Sequence, residues 1–354
     1  MLEPIRRFSV VDLPERAPRM LWWLPAILLG VGLGLTPEVL IALGPLRKSL
    51  TSQNTMTRET AQATVLAARI AGASLGVLLA ASILAWQRWR NHSWVVGVAR
   101  HHVPELRQRA HSRLKGTALI SISLAWLLGV AYVAAFARLL PTWAARLIDD
   151  EDGLFEYGTA AMFLVASVLA AITVLRLLRH GRSTLAQRAA VWHALLAAFF
   201  FLCCGEEISW GQRIFGFETM EAMEGLNVQN ENNLHNMMGY LADHLFILGV
   251  LVYGGLLPLL ARYTKYVRKA VDWLGIPLAS TGLAIGFILV SLLHDWTVYA
   301  VVPHSGVRVA ELRECLSALC FLLLMVQSVQ MVSEAKQAMD AGRVSLLDGL
   351  RPAV

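Results

Sequence analysis

Charged side chains are scarce in this chain. Of 354 residues, 16% are Asp, Glu, Lys or Arg and 56% are hydrophobic, whereas a soluble domain carries about 25% charged residues. The shortage excludes an ordinary water-soluble globular protein. Cysteine is sparse as well. Cys203, Cys204, Cys315 and Cys320 all lie in apolar stretches, and none has a neighbour at zinc-ligand spacing. That excludes a zinc finger and reads the four as small apolar packing residues, with a disulfide or a reactive thiol on the outer side as the alternative. No internal repeat and no low-complexity tract is evident, so neither a solenoid nor an inverted-repeat transporter is supported.

Long apolar runs are what the sequence has instead. Eight can be placed, near 21–44, 61–86, 116–140, 157–178, 188–205, 240–261, 273–294 and 310–332. Each is long enough, at about 1.5 Å per residue, to cross ~30 Å of hydrocarbon. Helices are required, because an unpaired backbone group in lipid costs several kcal/mol. The expectation is an all-α, polytopic transmembrane helix bundle of about eight spans. It would run as a single bundle over 21–332, between tails at 1–20 and 333–354. The first run is too long for a signal-peptide core and reads as an uncleaved anchor.

The net charge of +6 would suit nucleic acid, but its placement argues for topology. Segments between the spans alternate between rich and poor in Lys and Arg, with 22 on one set and 7 on the other. By the positive-inside rule both termini are cytoplasmic, and so is the basic loop 87–115. That loop suits an anionic leaflet. Tryptophans near the span ends form an aromatic belt.

This orientation collects the acids and several histidines on the outer face. Asp152 and Glu156 precede or open the fourth span. Glu206 and Glu207 end the fifth, and a polar outer segment follows over 206–239, with Glu231 and His235. Asp243 and His244 open the sixth span, His294 and Asp295 end the seventh, and Glu311 and Glu314 open the eighth. Ionisable groups at such depths are functional candidates by default.

Spacing sharpens the candidates. Glu206, Trp210 and Arg213 stand at i, i+4 and i+7, so a continued helix stacks them on one stripe, with Glu207 about 100° away. One acid would then meet Arg213 while the other faces the interior and serves proton transfer. Gly211 and Gly216 would let the helix end or turn there. Glu231 and His235, at i, i+4, suit an acid/base couple or a pair of metal ligands. The expected catalytic set is Glu206, Glu207, His235 and His294. Arg213, Trp210, Asn233, Asn236 and Glu156 would contact substrate. Glu207, Glu231, His235, His294 and Asp295 would hold a divalent metal such as zinc or manganese. Structural alternatives stand beside each: a salt-bridged helix end, a hydrogen-bonded loop clasp, solvated loop charge at Asp152 and Glu156, and dipole-matched acids at Glu311 and Glu314. His193, mid-span, reads as a hydrogen-bonded core histidine.

Three motifs, EDGLFE at 151–156, GEEISWGQRIFG at 205–216 and NVQNENNLHN at 227–236, together resemble a family of uncharacterised bacterial multi-pass membrane proteins. The resemblance implies a bacterial inner-membrane location and no activity. A weaker likeness is to glutamate-dependent intramembrane proteases, through the order Glu206, Glu207, His235, His294. Arg213 stands six residues past Glu207, Glu231 takes the place of a phenylalanine, and Val298 that of an asparagine. The expected function is a membrane-embedded hydrolase or transferase acting on a lipid-linked or membrane peptide substrate, with no nucleic-acid partner. The alternative is a non-catalytic carrier or accessory subunit that binds a headgroup or partner through the same groups.

Overall fold

The structure is a computed structural model, and it describes residues 22–43, 50–51, 53, 55–100, 153–180, 183–219, 240–293 and 309–340. The described residues are helical, with no β-strand among them. Five helices contain stretches long and apolar enough to cross a bilayer: Ala61–Leu84, Leu154–Arg179, Thr184–Glu207, Ala242–Tyr263 and Val309–Gln337. Length and apolarity together mark a multi-pass membrane protein. The expected span at 116–140 lies outside the described residues. The chain divides into two compact units, Met1–His102 and Val103–Val354.

In the first unit, α1 (Trp23–Gly34) and α2 (Pro37–Leu43) occupy the stretch expected to be one span. The helix breaks before Pro37, which has no N–H to donate and pushes its predecessor towards extended backbone. α3 (Thr55–Leu84) is unbroken over 30 residues, and the short helices α4 (Trp86–Trp89) and α5 (Ser93–Arg100) follow it. α1 packs against α3 by close backbone approach. A Cβ on Gly32 would stand 2.5 Å from the Ala73 nitrogen. Arg69, inside the apolar stretch of α3, donates from Nε to the Gly32 carbonyl at 3.2 Å. Small residues at a helix contact and an internal partner for a lone cation are both what lipid surroundings demand.

In the second unit, α6 (Leu154–His180) and α7 (Thr184–Glu207) form an antiparallel hairpin. The Ser183 hydroxyl caps α7 by accepting from the Ala186 amide at 3.2 Å. After α7 comes the four-residue α8 (Gln212–Phe215). α9 (Tyr240–Gly249) runs through a π-helical stretch, Val250–Leu256, into α10 (Leu257–Tyr263). Then come α11 (Lys265–Leu274), α12 (Thr281–Ser291) and α13 (Val309–Asp340). Phe321 of α13 is the hub of the core. Its ring centroid lies 5.1 Å from Phe200, 5.0 Å from Phe287 and 6.4 Å from Phe163, so one ring joins α6, α7 and α12. Such aromatic pairs add about 0.5–1.5 kcal/mol each beyond area burial.

The expected span 273–294 is not one helix. Gly275 is left-handed at φ 73° and ends α11. The next helical residue is Thr281, so α12 has 11 residues, roughly 16 Å. The intervening stretch 276–280 has no regular structure, yet Ala279 and Ser280 are fully buried. Irregular backbone at such depth needs partners from the protein, and it has them. Tyr253, in the π-helical stretch, donates to the Pro277 carbonyl at 2.9 Å. Gln327 of α13 accepts from the Ser280 amide at 3.1 Å and donates to the Ser280 hydroxyl oxygen at 3.0 Å. That same oxygen caps α12 by accepting from the Leu283 amide. Gly254 and Gly255 let α12 come close, since Cβ atoms there would stand 2.4 Å from the Phe287 ring and 2.6 Å from Ile288.

α11 is amphipathic and docks beside the start of α7. Arg188 of α7 donates to the Trp273 carbonyl at 2.9 Å and stacks over its ring at 3.8 Å. Arg268 donates to the Ala261 and Arg262 carbonyls, which the end of α10 leaves without helical partners. Burial, with the neighbouring Lys265, pulls the Lys269 ammonium below the ordinary lysine range.

Gln327→Leu keeps the side chain's bulk and strands the Ser280 amide. The expected loss is about 1–3 kcal/mol, read as a lower unfolding midpoint of the full chain in detergent. An unchanged midpoint would mean that the clasp does not support the break.

Candidate functional site

Most of the described carboxyls of the second unit gather at one end, Asp272 and Glu334 excepted. α6 and α7 are antiparallel, so Glu156, in the first turn of α6, lies at the same end as Glu206 and Glu207, the last residues of α7. α13 runs parallel to α6. Cys315 is within hydrogen-bond reach of Thr159 near one end, and Arg176 donates to the Ser333 hydroxyl at 2.8 Å near the other. Glu311 and Glu314 therefore join the same end. Asp243 joins it through an ion pair, with Arg313 Nη2 2.7 Å from its Oδ1. Arg176, Arg188, Arg262 and Arg268 stand at the opposite end. The convergence of acids from distant segments, expected from the sequence, is present for Glu156, Glu206, Glu207, Asp243, Glu311 and Glu314.

Glu314 is the carboxyl on which the others bear. Glu311, Asp243, Arg313 and Glu156 all lie within electrostatic reach of it. A deeply buried cation stands among these acids. Arg313 is 4% exposed, and besides Asp243 it donates to the Leu293 carbonyl at 3.3 Å. The guanidinium thus ties α13 to α9 and to the end of the α12 segment. Its Nε has no hydrogen-bond partner among the described residues.

Glu206 and Glu207 are separated by the turn that follows them. The helix does not continue to Arg213, as a shared stripe would require. α7 stops at Glu207, and Ser209, Trp210 and Gly211 are left-handed at φ 45°, 54° and 84°. The Gly211 amide donates to the Ile208 carbonyl at 2.8 Å. The turn starts two residues before the glycine that was expected to cause it. Left-handed backbone costs about 1–3 kcal/mol at a non-glycine residue and needs compensation. The indole supplies it. Trp210 Nε1 donates to Glu206 Oε1 at 2.8 Å, and the ring meets Phe201 edge-on at 6.1 Å. It lies so close over Gly205 that a Cβ there would be 2.9 Å from three ring atoms. Glu206 therefore holds the Trp210 indole.

Glu207 points elsewhere. Its charge acts on Cys203 and Cys204 of its own helix and on Cys315 of α13. All four cysteines are free thiols, half-buried or buried, as packing residues are. His193 is buried, with Nδ1 2.7 Å from the Ala189 carbonyl, in keeping with the core-histidine reading.

Asp152, Glu231, Asn233, His235, Asn236, His294 and Asp295 lie outside the described residues, as does the side chain of Arg213, whose backbone is in α8. Of the expected metal ligands, Glu207 alone is described. Among the described residues no group of three His, Cys, Asp or Glu is arranged to hold a metal ion. The Arg313–Asp243 pair was not anticipated, because the two residues stand 70 apart in sequence and no local spacing links them. The available signal was that a cation inside an apolar span must find a partner.

Arg313→Leu leaves Asp243 facing the acid cluster without its cation. The expected loss of stability is about 3 kcal/mol, reduced in part because the Asp243 side chain is 29% exposed. The double variant Arg313→Leu with Asp243→Leu should recover most of it, measured by unfolding midpoint. Equal and additive losses would remove the pair as a support. Compared with known protein families, curated proteins and solved structures, the chain matches none.

Proposed function

We propose that this is a bacterial inner-membrane protein whose outer-face carboxylate cluster performs acid–base chemistry on a lipid-linked or membrane peptide substrate, as a hydrolase or transferase. The observation that carries this reading is the gathering of carboxyls from three helices, α6, α9 and α13, around Glu314 and Arg313. Like charges held together at a partly buried helix end are how proteins set acids and bases apart in strength. The outward orientation rests on the Lys and Arg count between spans, and the separation of acids from bases along the second unit supports it. In this reading Glu206 or Glu207 is the general base and His235 and His294 are its partners. Arg213 holds an anionic group of the substrate, with Trp210, Asn233, Asn236 and Glu156 along its path. Glu207, Glu231, His235, His294 and Asp295 would hold zinc or manganese if the reaction uses a metal. The motif likeness to bacterial multi-pass membrane proteins supports the location.

A second reading, a proton-coupled carrier, draws on a separate observation. The buried break at 276–280, the half-length α12 and the facing π-helical stretch are features that membrane carriers place near their substrate paths.

The test uses the full chain in liposomes of bacterial lipid extract, with lipid-linked saccharides and membrane peptides offered as substrates and products read by mass spectrometry. Glu207→Gln and His235→Ala are expected to insert and unfold like the wild type and to lose at least ~100-fold in turnover, as removal of a general acid or base does. Absence of any product, with proton uptake driven by a substrate gradient, would move the assignment to the carrier. Variants that fail to accumulate would make the cluster a structural clasp.

A further inference from the structure

The end opposite the acids carries a surface that the acid–base reading leaves unused. The apolar span Ala242–Tyr263 stops with α10. Thr264, at φ −118° and ψ 111°, then turns the chain out of the helix and into α11. A short helix that begins two residues past the end of a span is held at the boundary between lipid and water.

Helical spacing sorts α11 into rows. Tyr266, Ala270 and Leu274 stand at i, i+4 and i+8 and form an apolar row. Lys265 and Lys269 begin the row beside it, about 100° away. On a helix that packs against a protein core, the apolar row is the covered one. Here it is open. Tyr266 is 53% exposed and Leu274 38%, whereas α11 rests on the bundle through Val271 and its acid, Asp272, both buried. Tyr263, at the end of α10, is 78% exposed. Tyrosine rings at a span end bridge the acyl and headgroup layers, and lysine stems carry their charge past apolar surface to the headgroups. An open apolar row flanked by cations is the pattern of a helix that lies in the bilayer interface.

The cations of this corner divide in two. Arg268 is committed to the Ala261 and Arg262 carbonyls, and Arg188 to the Trp273 carbonyl and ring. Arg262 and Lys265 are exposed, and neither side chain makes a hydrogen bond or an ion pair among the described residues. The Arg262 guanidinium stands 6.0 Å from the centroid of the Tyr263 ring. Lys265 is near enough to Lys269 to help lower the Lys269 ammonium. Like charges at i, i+4 destabilise a helix, and an anion beside them removes that penalty.

We propose that α11 is an interfacial helix and that Arg262 and Lys265 bind the phosphate of an anionic phospholipid, with Tyr263 and Tyr266 against its glycerol and upper acyl chains. The site belongs to the leaflet at the basic end and is independent of the chemistry assigned to the acid end. Each cation held at an anionic surface raises occupancy by about fivefold, and salt screens the effect.

The experiment places a photoreactive ring in the apolar row. The full chain with Tyr266→p-benzoylphenylalanine is reconstituted in vesicles of equal parts phosphatidylglycerol and phosphatidylcholine and irradiated, and lipid adducts are read by peptide mass spectrometry. Phosphatidylglycerol is expected to be captured at least about 5-fold over phosphatidylcholine, with the preference falling in high salt. Arg262→Gln with Lys265→Gln is expected to keep the lipid adducts and bring the ratio to within about twofold of one. Equal capture of the two lipids without those substitutions overturns the phosphate site, and a preference that survives the double variant overturns the role of the two cations. Capture of protein in place of lipid overturns the interfacial placement, because a second copy or another segment then covers the row. Loss of the preference on adding excess inorganic phosphate assigns a soluble anion and overturns the lipid. Where the ring at 266 lowers accumulation, the same probe at Tyr263 decides. None of these readouts needs turnover, so the proposal stands or falls apart from the acid–base reading.

Discussion

Everything in the second unit depends on one constraint. A polar group enclosed by apolar side chains has to find its partner within the protein, because lipid offers none. Continuous helices meet the constraint by themselves. Among the described residues, the second unit shows three such departures in its core, and at each a specific side chain takes over. Gln327 and Tyr253 serve the stretch before α12, Trp210 serves the end of α7, and Arg313 serves both Asp243 and the carbonyl of Leu293. These side chains come from different helices than the groups they satisfy, Trp210 excepted. The polar residues inside the unit are therefore cross-braces, and the aromatic hub at Phe321 fills the space between them.

The acid end is built on the same logic. Among the described residues, six carboxyls share an end with the buried guanidinium of Arg313, which also serves a backbone oxygen. The opposite end spends Arg188 and Arg268 on carbonyls and on a tryptophan face, so these two arginines act as structural caps. One end spends polar groups on capping, and the other brings carboxyls close together.

Much of this was legible in the sequence, and the limits have physical causes. Apolar runs of 18 to 23 residues locate α6 and α7 to within four residues at each end and the start of α13 to within one, since length and hydropathy are what a bilayer selects. The gathering of Glu156, Glu207, Glu311 and Glu314 followed from orientation alone. The 273–294 run was read as continuous because a hydropathy window averages over Gly275 and Pro277, which carry the break. The contact between Glu206 and Trp210 was expected from helical spacing, and it exists, but a left-handed turn brings it about. No spacing rule reports a change of backbone hand at Ser209. Arg313 and Asp243 stand 70 residues apart, beyond any local pattern.

That separation has a consequence for how the protein is made. Asp243 leaves the ribosome well before the cation it depends on. At about 5–20 residues per second, some 4–14 s pass before Arg313 is synthesised. During that interval the acidic start of α9 must wait at the water boundary or beside the insertion machinery. The C-terminal helix is then the keystone of biogenesis: a nascent chain truncated ahead of it would display an orphan acid, a ready mark for quality-control proteolysis.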